Sequence, residues 1–373
     1  MKKIKVITIL GTRPEVIKLA PVIKELKKKK CKIISKTILT GQHRQMVRQF
    51  LELFHIRPDY NLDIMHKDQS LFDITSRCLQ KLSKVLKEEK PDLILIEGDT
   101  TTAFISSLCA FYLKIPVGHV EAGLRTYNKY QPYPEEINRR LISVVGDLHF
   151  APTKIALKNL LNEGIRTDNI YLTGNTVVDA LYSISNKKYS ISNKNINGID
   201  FRKKKVILIT AHRRESFGGP LAQICKAIKL IAEFPNVEII YPVHLNPNVK
   251  KPVEAILKNK KNIHLLPPLD YLSFVYVLKN CYLVLTDSGG VQEEAPAFGK
   301  PILVMREVTE RPEGIKAQIA KVVGMDSKRI VSQTRKLIFS AAAYRKMAKA
   351  VNPYGDGQAA RRIVKAIADY FQL

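Results

Sequence analysis

Short runs of aliphatic and β-branched residues alternate with longer segments of helical spacing along the whole chain. Residues 4–10 read as a strand. Residues 15–27 follow with apolar side chains at Val16, Ile17, Leu19, Ala20, Ile23 and Leu26, the spacing of one helix face. Strand-like runs recur at residues 93–96, 115–120, 206–210, 237–240, 283–285 and 301–305. Alternation of this kind predicts α/β folding, with parallel sheets covered by helices on both faces. Ligands of such sheets collect at the carboxyl ends of the strands. The polar motifs of this chain fall at those ends.

At 373 residues the chain exceeds one typical core, and two domains are expected. The stretch 183–200 is poor in large apolar residues and rich in Ser, Asn and Lys, which marks a connection between them. The turn cluster Asn352-Pro353-Tyr354-Gly355-Asp356-Gly357 precedes a last amphipathic helix at 358–370. No apolar run reaches membrane-spanning length. The charged start Met1-Lys2-Lys3 leads into a short apolar run and then Gly11-Thr12-Arg13-Pro14-Glu15 instead of a cleavage site. A first strand is expected there, and with it a cytoplasmic protein without membrane insertion.

The five cysteines are far apart, with no CxxC, and no histidine pair has metal-ligand spacing, so packing roles and no metal are expected. The net charge is 61 − 34 = +27. The excess is lysine in runs such as Lys27-Lys28-Lys29-Lys30, without interleaved aromatic residues or a known RNA-binding pattern. A solvated basic surface is expected rather than a nucleic-acid site, and it favours anionic small molecules.

The richest segment is Thr286-Asp287-Ser288-Gly289-Gly290-Val291-Gln292-Glu293-Glu294-Ala295-Pro296. It follows an apolar strand, Ser288 occupies a cap position, and the glycines let the backbone approach a ligand. Helix-start amides hold phosphate, and Glu294, one turn on, suits ribose hydroxyls. A nucleoside diphosphate site is implied; a plain capped helix is the competing reading. The spacing carries a helix as far as Pro296.

Five more strand exits and one helix start carry chemistry. Arg13 and Lys18 stand at the first, where a forked guanidinium can hold phosphate and where simple surface cations also fit. Gly98-Asp99-Thr100 follows the strand at 93–96, and Asp99 could bind a sugar hydroxyl, move a proton or cap the next helix. In His119-Val120-Glu121, continued strand geometry would put His119 and Glu121 on one face. Glu121 could then act as a general base or in a structural ion pair. In Pro134-Glu135-Glu136, the pairs Glu135–Arg139 and Glu136–Arg140 have the spacing of helix-stabilising ion pairs. In the second half, Ala211-His212-Arg213-Arg214-Glu215 and Tyr241-Pro242-Val243-His244 place a histidine at each of two strand ends.

Taken in order, residues 11–18, 40–43, 98–102, 119–126, 134–139, 172–180, 211–215, 241–247, 286–296 and 309–313 closely resemble the non-hydrolysing UDP-N-acetylglucosamine 2-epimerases. The resemblance spans nearly the whole chain. It implies two doubly wound Rossmann-like domains of the GT-B type facing across a cleft, in a homodimer. The N-terminal domain would be residues 1–172 with 355–373 returning to it, and the UDP-binding domain 173–354. It implies no redox cofactor, and UDP-N-acetylglucosamine and UDP as partners. UDP would leave as the C2 proton is lost, giving a 2-acetamidoglucal, and would add back with protonation at C2 from the opposite face.

By the same resemblance, Asp99, Glu121 and Glu135 are acid/base candidates and His212 assists the leaving diphosphate. Arg13, Lys18, Arg139 and Arg311 would hold or neutralise the substrate. Ser288, Gly289 and Gly290 would cradle phosphate, Glu294 would bind ribose, and Phe274 falls near uracil or in the core. A second, activating UDP-N-acetylglucosamine in some members corresponds to Gln42, Gln45, Arg213 and His244. Regulated members carry an arginine near the place of Asp68, so weak or absent substrate activation is expected. Three other functions compete: a hydrolysing epimerase, a GT-B glycosyltransferase and a basic RNA-binding protein.

Overall fold

The computed structural model of the protein describes residues 3–41, 44–64, 66, 69–185, 194–258 and 260–373. In chain order its elements are β1 (Ile4–Leu10), α1 (Arg13–Lys28), β2 (Ile33–Leu39), α2 (Arg44–Leu53), β3 (Tyr60–Asn61), α3 (Leu71–Glu89), β4 (Leu93–Glu97), α4 (Thr101–Tyr112), β5 (Val117–Val120), α5 (Glu135–Val145), β6 (Leu148–Ala151), α6 (Lys154–Asn162), β7 (Ile170–Leu172) and α7 (Thr176–Ser185). There follow α8 (Lys194–Asn197), β8 (Lys205–Thr210), α9 (Gly219–Ile231), β9 (Val237–Pro242), α10 (Pro247–Leu257), β10 (Ile263–Leu266), α11 (Tyr271–Asn280), β11 (Leu283–Thr286), α12 (Gly289–Glu294), β12 (Ile302–Val304), α13 (Pro312–Lys316), β13 (Ala320–Val322), α14 (Ser327–Phe339), α15 (Ala341–Ala348) and α16 (Ala359–Tyr370).

The chain divides into two compact units, Met1–Ala180 with Gly355–Leu373, and Leu181–Tyr354. Unit 1 is built on a seven-stranded sheet in the order β3-β2-β1-β4-β5-β6-β7, and unit 2 on a six-stranded sheet in the order β10-β9-β8-β11-β12-β13. Every strand pairing is parallel. Both sheets are therefore buried on two sides, which is why their strands read as continuous apolar runs. In β8, Ile207 and Ile209 enter one core and Val206 and Leu208 the other, as a two-residue repeat requires. In unit 1, α16 packs on α1.

The strand order reverses direction between β1 and β4 in unit 1 and between β8 and β11 in unit 2. A crevice opens beyond the carboxyl ends of the strands at such a switch point. The exits of β1 and β4 are Gly11–Thr12 and Gly98–Thr100; those of β8 and β11 are Ala211–Arg213 and Asp287–Ser288. The same two positions in each sheet thus carry the motifs singled out from sequence.

Candidate functional site

In unit 1 the β1 exit is tied down by a carboxylate. Glu15, on the first turn of α1, accepts hydrogen bonds from the main-chain amides of Gly11, at 2.6 Å, and Thr12. Its other oxygen accepts from Thr100 Oγ1 at 2.7 Å, which joins the β1 exit to the β4 exit. A side chain on Gly11 would stand 2.6 Å from Thr102 Oγ1, so only glycine lets the three groups meet. Burial raises the Glu15 pKa above the usual carboxylate value although each of these bonds lowers it.

Lys18, one turn further along α1, reaches the β5 exit. Its ammonium lies 2.6 Å from the Glu121 carboxylate and 3.1 Å from Glu97 Oε1 at the end of β4. The second Glu121 oxygen accepts from Asn175 Nδ2, in the β7 exit, at 2.8 Å. Lys18 of α1 and Asn175 of the β7 exit thus meet on the Glu121 carboxylate, and Lys18 also reaches the end of β4. Glu121 has φ = 64°, the left-handed region, where a residue other than glycine costs roughly 1–2 kcal/mol. Continued strand geometry therefore stops at Val120, and the expected shared face of His119 and Glu121 does not form. His119 turns into the interior instead, with Nε2 2.7 Å from the Gly98 carbonyl, and burial lowers its pKa to about 3. It is a neutral core group.

Asp99 is not the cap of α4. Thr100 caps that helix, accepting from the Ala103 amide at 3.0 Å. Asp99 pairs with Arg139 of α5 at 2.6 Å, and its carbonyl accepts from Asn138 Nδ2 at 2.9 Å. Among the described residues, Glu135–Arg139 and Glu136–Arg140 do not form ion pairs. Arg139 is drawn to Asp99 across the sheet edge, while Glu136 accepts from the Thr126 and Tyr127 amides at 3.0 Å each. Glu136 thereby shapes the loop, and Glu135 is left at the start of α5 with Oε2 shielded from water and no hydrogen-bond partner among the described groups. Arg13 is exposed, with its guanidinium 6.0 Å from the Phe50 ring centre.

In unit 2 the corresponding carboxylate is Asp287, fully buried at the β11 exit. It accepts from the amides of His212 and Arg213, both at 2.7 Å, and so fixes the β8 exit. The His212 ring stays 40% exposed and stacks parallel to His244, centroids 5.4 Å apart. His244 Nδ1 accepts from the Asn246 amide at 3.1 Å. The guanidinium groups of Arg213 and Arg311 come together at Gly289. An added Cβ there would lie 3.7 Å from an Arg213 nitrogen and 3.9 Å from the Arg311 guanidinium carbon.

Arg311 is oriented by Glu293, to which its Nε donates, and its amide donates to Thr309 Oγ1 at 3.1 Å. Ser288 holds the cap position of α12, but its hydroxyl makes no capping bond. The helix is shorter than expected: α12 ends at Glu294 and a 3-10 turn, Ala295–Phe298, takes over. Glu294 is half-buried in the last position of α12. Phe274 packs against the core cluster on the sheet face that carries Val206, Leu208 and Val284.

Asp99, Glu121, Glu135, Lys18 and Arg139 thus gather at one edge of unit 1. His212, Arg213, His244, Ser288, Gly289 and Arg311 gather at one edge of unit 2. Gln42 and Asp68 lie outside the described residues, as does the side chain of Gln45. Glu15, Asn175 and Asp287 shape these edges without standing out in sequence. The signal available for Asp287 was its place between an apolar strand and Ser288. Glu97 sits at the end of an otherwise aliphatic strand, where a carboxylate needs a partner. Among the described residues no cluster of three or more His, Cys, Asp or Glu side chains is placed to hold a metal ion.

The family model for UDP-N-acetylglucosamine 2-epimerase matches residues 24–368. The chain is 48% identical over 372 residues to the UDP-N-acetylglucosamine 2-epimerase of Bacillus subtilis strain 168, covering 100% of this chain and 97% of that protein. It is 48% identical to the enzyme of the same name from Campylobacter jejuni, covering 97% of each. The crystal structure of UDP-GlcNAc 2-epimerase from Neisseria meningitidis bound to UDP-GlcNAc is similar at a TM-score of 0.87 and 48% identity, covering 98% of this chain and 100% of that one.

Proposed function

The chain belongs to the UDP-N-acetylglucosamine 2-epimerase family, and from that membership we propose that it reversibly converts UDP-N-acetylglucosamine to UDP-N-acetylmannosamine. The observation that carries this reading is the Glu121 carboxylate, held by Lys18 and Asn175 beside the Asp99–Arg139 pair at the unit 1 switch point.

Inversion at C2 requires a proton to leave one face and arrive on the other. In the proposed route a carboxylate takes the C2 proton, the C2 electron pair forms the C1–C2 double bond, and the C1–O bond breaks toward UDP. The diphosphate oxygen then returns to C1, and a proton is delivered to C2 from the opposite face. Asp99, Glu121 and Glu135 form the acid/base set. A shielded, hydrogen-bond-free oxygen on Glu135 suits proton transfer better than a permanent ion pair.

The diphosphate falls to unit 2. Arg311 supplies a guanidinium group beside Gly289, joined there by Arg213, which the resemblance assigns to the activator site, with Ser288 and Gly290 adjacent, and His212 assists departure. Fixed charges aimed at a leaving diphosphate stabilise charge as it develops, and removing one lowers turnover by about 100- to 1,000-fold. Glu294 binds ribose and Arg13 supplies a further cation. Lys18 is the feature the resemblance ties to the non-hydrolysing branch. The reading includes a cytoplasmic homodimer.

Incubation with UDP-N-acetylglucosamine, followed by phosphorus and carbon NMR, tests it. The expected result is an equilibrium mixture of two sugars still carrying UDP. Stoichiometric UDP with free N-acetylmannosamine would identify a hydrolysing enzyme, and an unchanged substrate would reject both.

A further inference from the structure

Three carboxylates, Glu15, Glu97 and Glu121, stand close together at the unit 1 switch point, and one ammonium serves two of them. Glu15 is satisfied by two amides and a hydroxyl. Glu121 is held by Lys18 and Asn175. Glu97 has a different position. It ends β4, pairs in register with Val120 of β5 and is only 3% exposed, so it lies beside Glu121 with its back to the core. Among the described residues its one ionic partner is Lys18, at 3.1 Å.

A buried carboxyl in an aliphatic strand is destabilising unless it is paired, and an apolar side chain would serve packing alone better. The charged groups facing Glu97 are Lys18 and Glu15 from α1 and Glu121 from the β5 exit. Burial first, then the charges of Glu121 and Glu15, push the Glu97 carboxyl well above the usual carboxylate range, against the pull of Lys18. One cation therefore faces two buried carboxylates, and burial favours the protonated form of Glu97.

We propose that Glu97 is a positioning residue for the reacting carboxylate, seating the Lys18 ammonium from the β4 side and through it fixing the orientation and charge balance of Glu121. This rests on the epimerase reading given above. With its proton on, Glu97 leaves the ammonium charge to Glu121. With its proton off, it competes for that ammonium and pulls Lys18 toward β4. The rate then carries the ionisation of a group that never touches the sugar.

The test is the pH dependence of kcat and KM for UDP-N-acetylglucosamine in the wild type, Glu97→Ala and Glu97→Gln. Glu97→Ala is expected to lower kcat on the order of 100-fold, the scale of a misplaced reacting group. KM should change less than about threefold, the split expected when the lost interaction is used mainly in the transition state. Glu97→Gln, which keeps shape and an accepting oxygen without titrating, should recover most of that loss and should delete one ionisation from the kcat profile. A wild-type pH profile in Glu97→Gln, or a defect confined to KM, would overturn the proposal. Thermal melting controls for folding, and if Glu97→Ala does not fold the Glu97→Gln profile decides alone. A wild type that fails to epimerise would overturn the epimerase reading instead, so the two failures are separable.

Discussion

His119 and His149 face each other in register on neighbouring strands β5 and β6, both without exposure to water. Burial lowers their pKa values to about 3 and about 4. Each is neutral when folded and binds a proton more readily when unfolded. Stability from this pair is complete above the unfolded histidine pKa and falls as pH drops from about 6.5 toward 4. Two protons taken up on unfolding give a slope near 2.7 kcal/mol per pH unit at the steepest, twice roughly 1.36. Chemical denaturation at a series of pH values should show that slope, and His119→Asn should remove about half of it. An unchanged slope in the variant would contradict a neutral, buried His119. At this scale the sequence shows residue type but not surroundings. His119 reads as a candidate for chemistry and is a core group. Glu15 and Asp287 read as ordinary acids, yet each gathers two main-chain amides, because that role depends on where the neighbouring strand ends.

In the proposed function the strand exits are the functional elements. The long apolar strands were legible because both faces of a parallel sheet are buried. Less so were β2, broken by Ser35 and Lys36, and β6, where His149 looks polar while lying in the core. The strand expected at 115–120 begins at Val117, since Pro116 precedes it. The helix expected to run to Pro296 gives way to a 3-10 turn at Ala295. What spacing could not show is how exits are clamped to one another. Asp287 holds the β8 exit by two amide bonds, so Asp287→Ala takes the acceptor from two partly buried amides. That change should cost about 1–3 kcal/mol of stability. It should also weaken UDP binding more than about tenfold, because Arg213 follows the loop. Asp287→Asn, which keeps an accepting oxygen, should lose less. Calorimetry with UDP and a thermal melt check both, and full UDP affinity in Asp287→Ala would contradict the clamp.

At the scale of the whole molecule, the fold class was readable from alternation alone, and the family from short segments spread over the chain. Two further expectations concern assembly and regulation. Helices α4 and α5 pack on each other and expose Phe111, Tyr112, Leu141 and Val144. An apolar face of this kind suits a second copy of the chain. Sedimentation should show a dimer, converted toward monomer by Val144→Asp combined with Phe111→Asp; a monomeric wild type would contradict it. An acid at position 68, in place of the arginine of regulated relatives, predicts a hyperbolic dependence of rate on UDP-N-acetylglucosamine, and a sigmoidal curve would count against it. The central claim is loss and return of the C2 proton, with UDP eliminated and added back and none released. Proton NMR of the reaction in heavy water tests it most directly. The account predicts a manno-configured product that still bears UDP and carries deuterium at C2. Product formed with the C2 proton retained from substrate would contradict it.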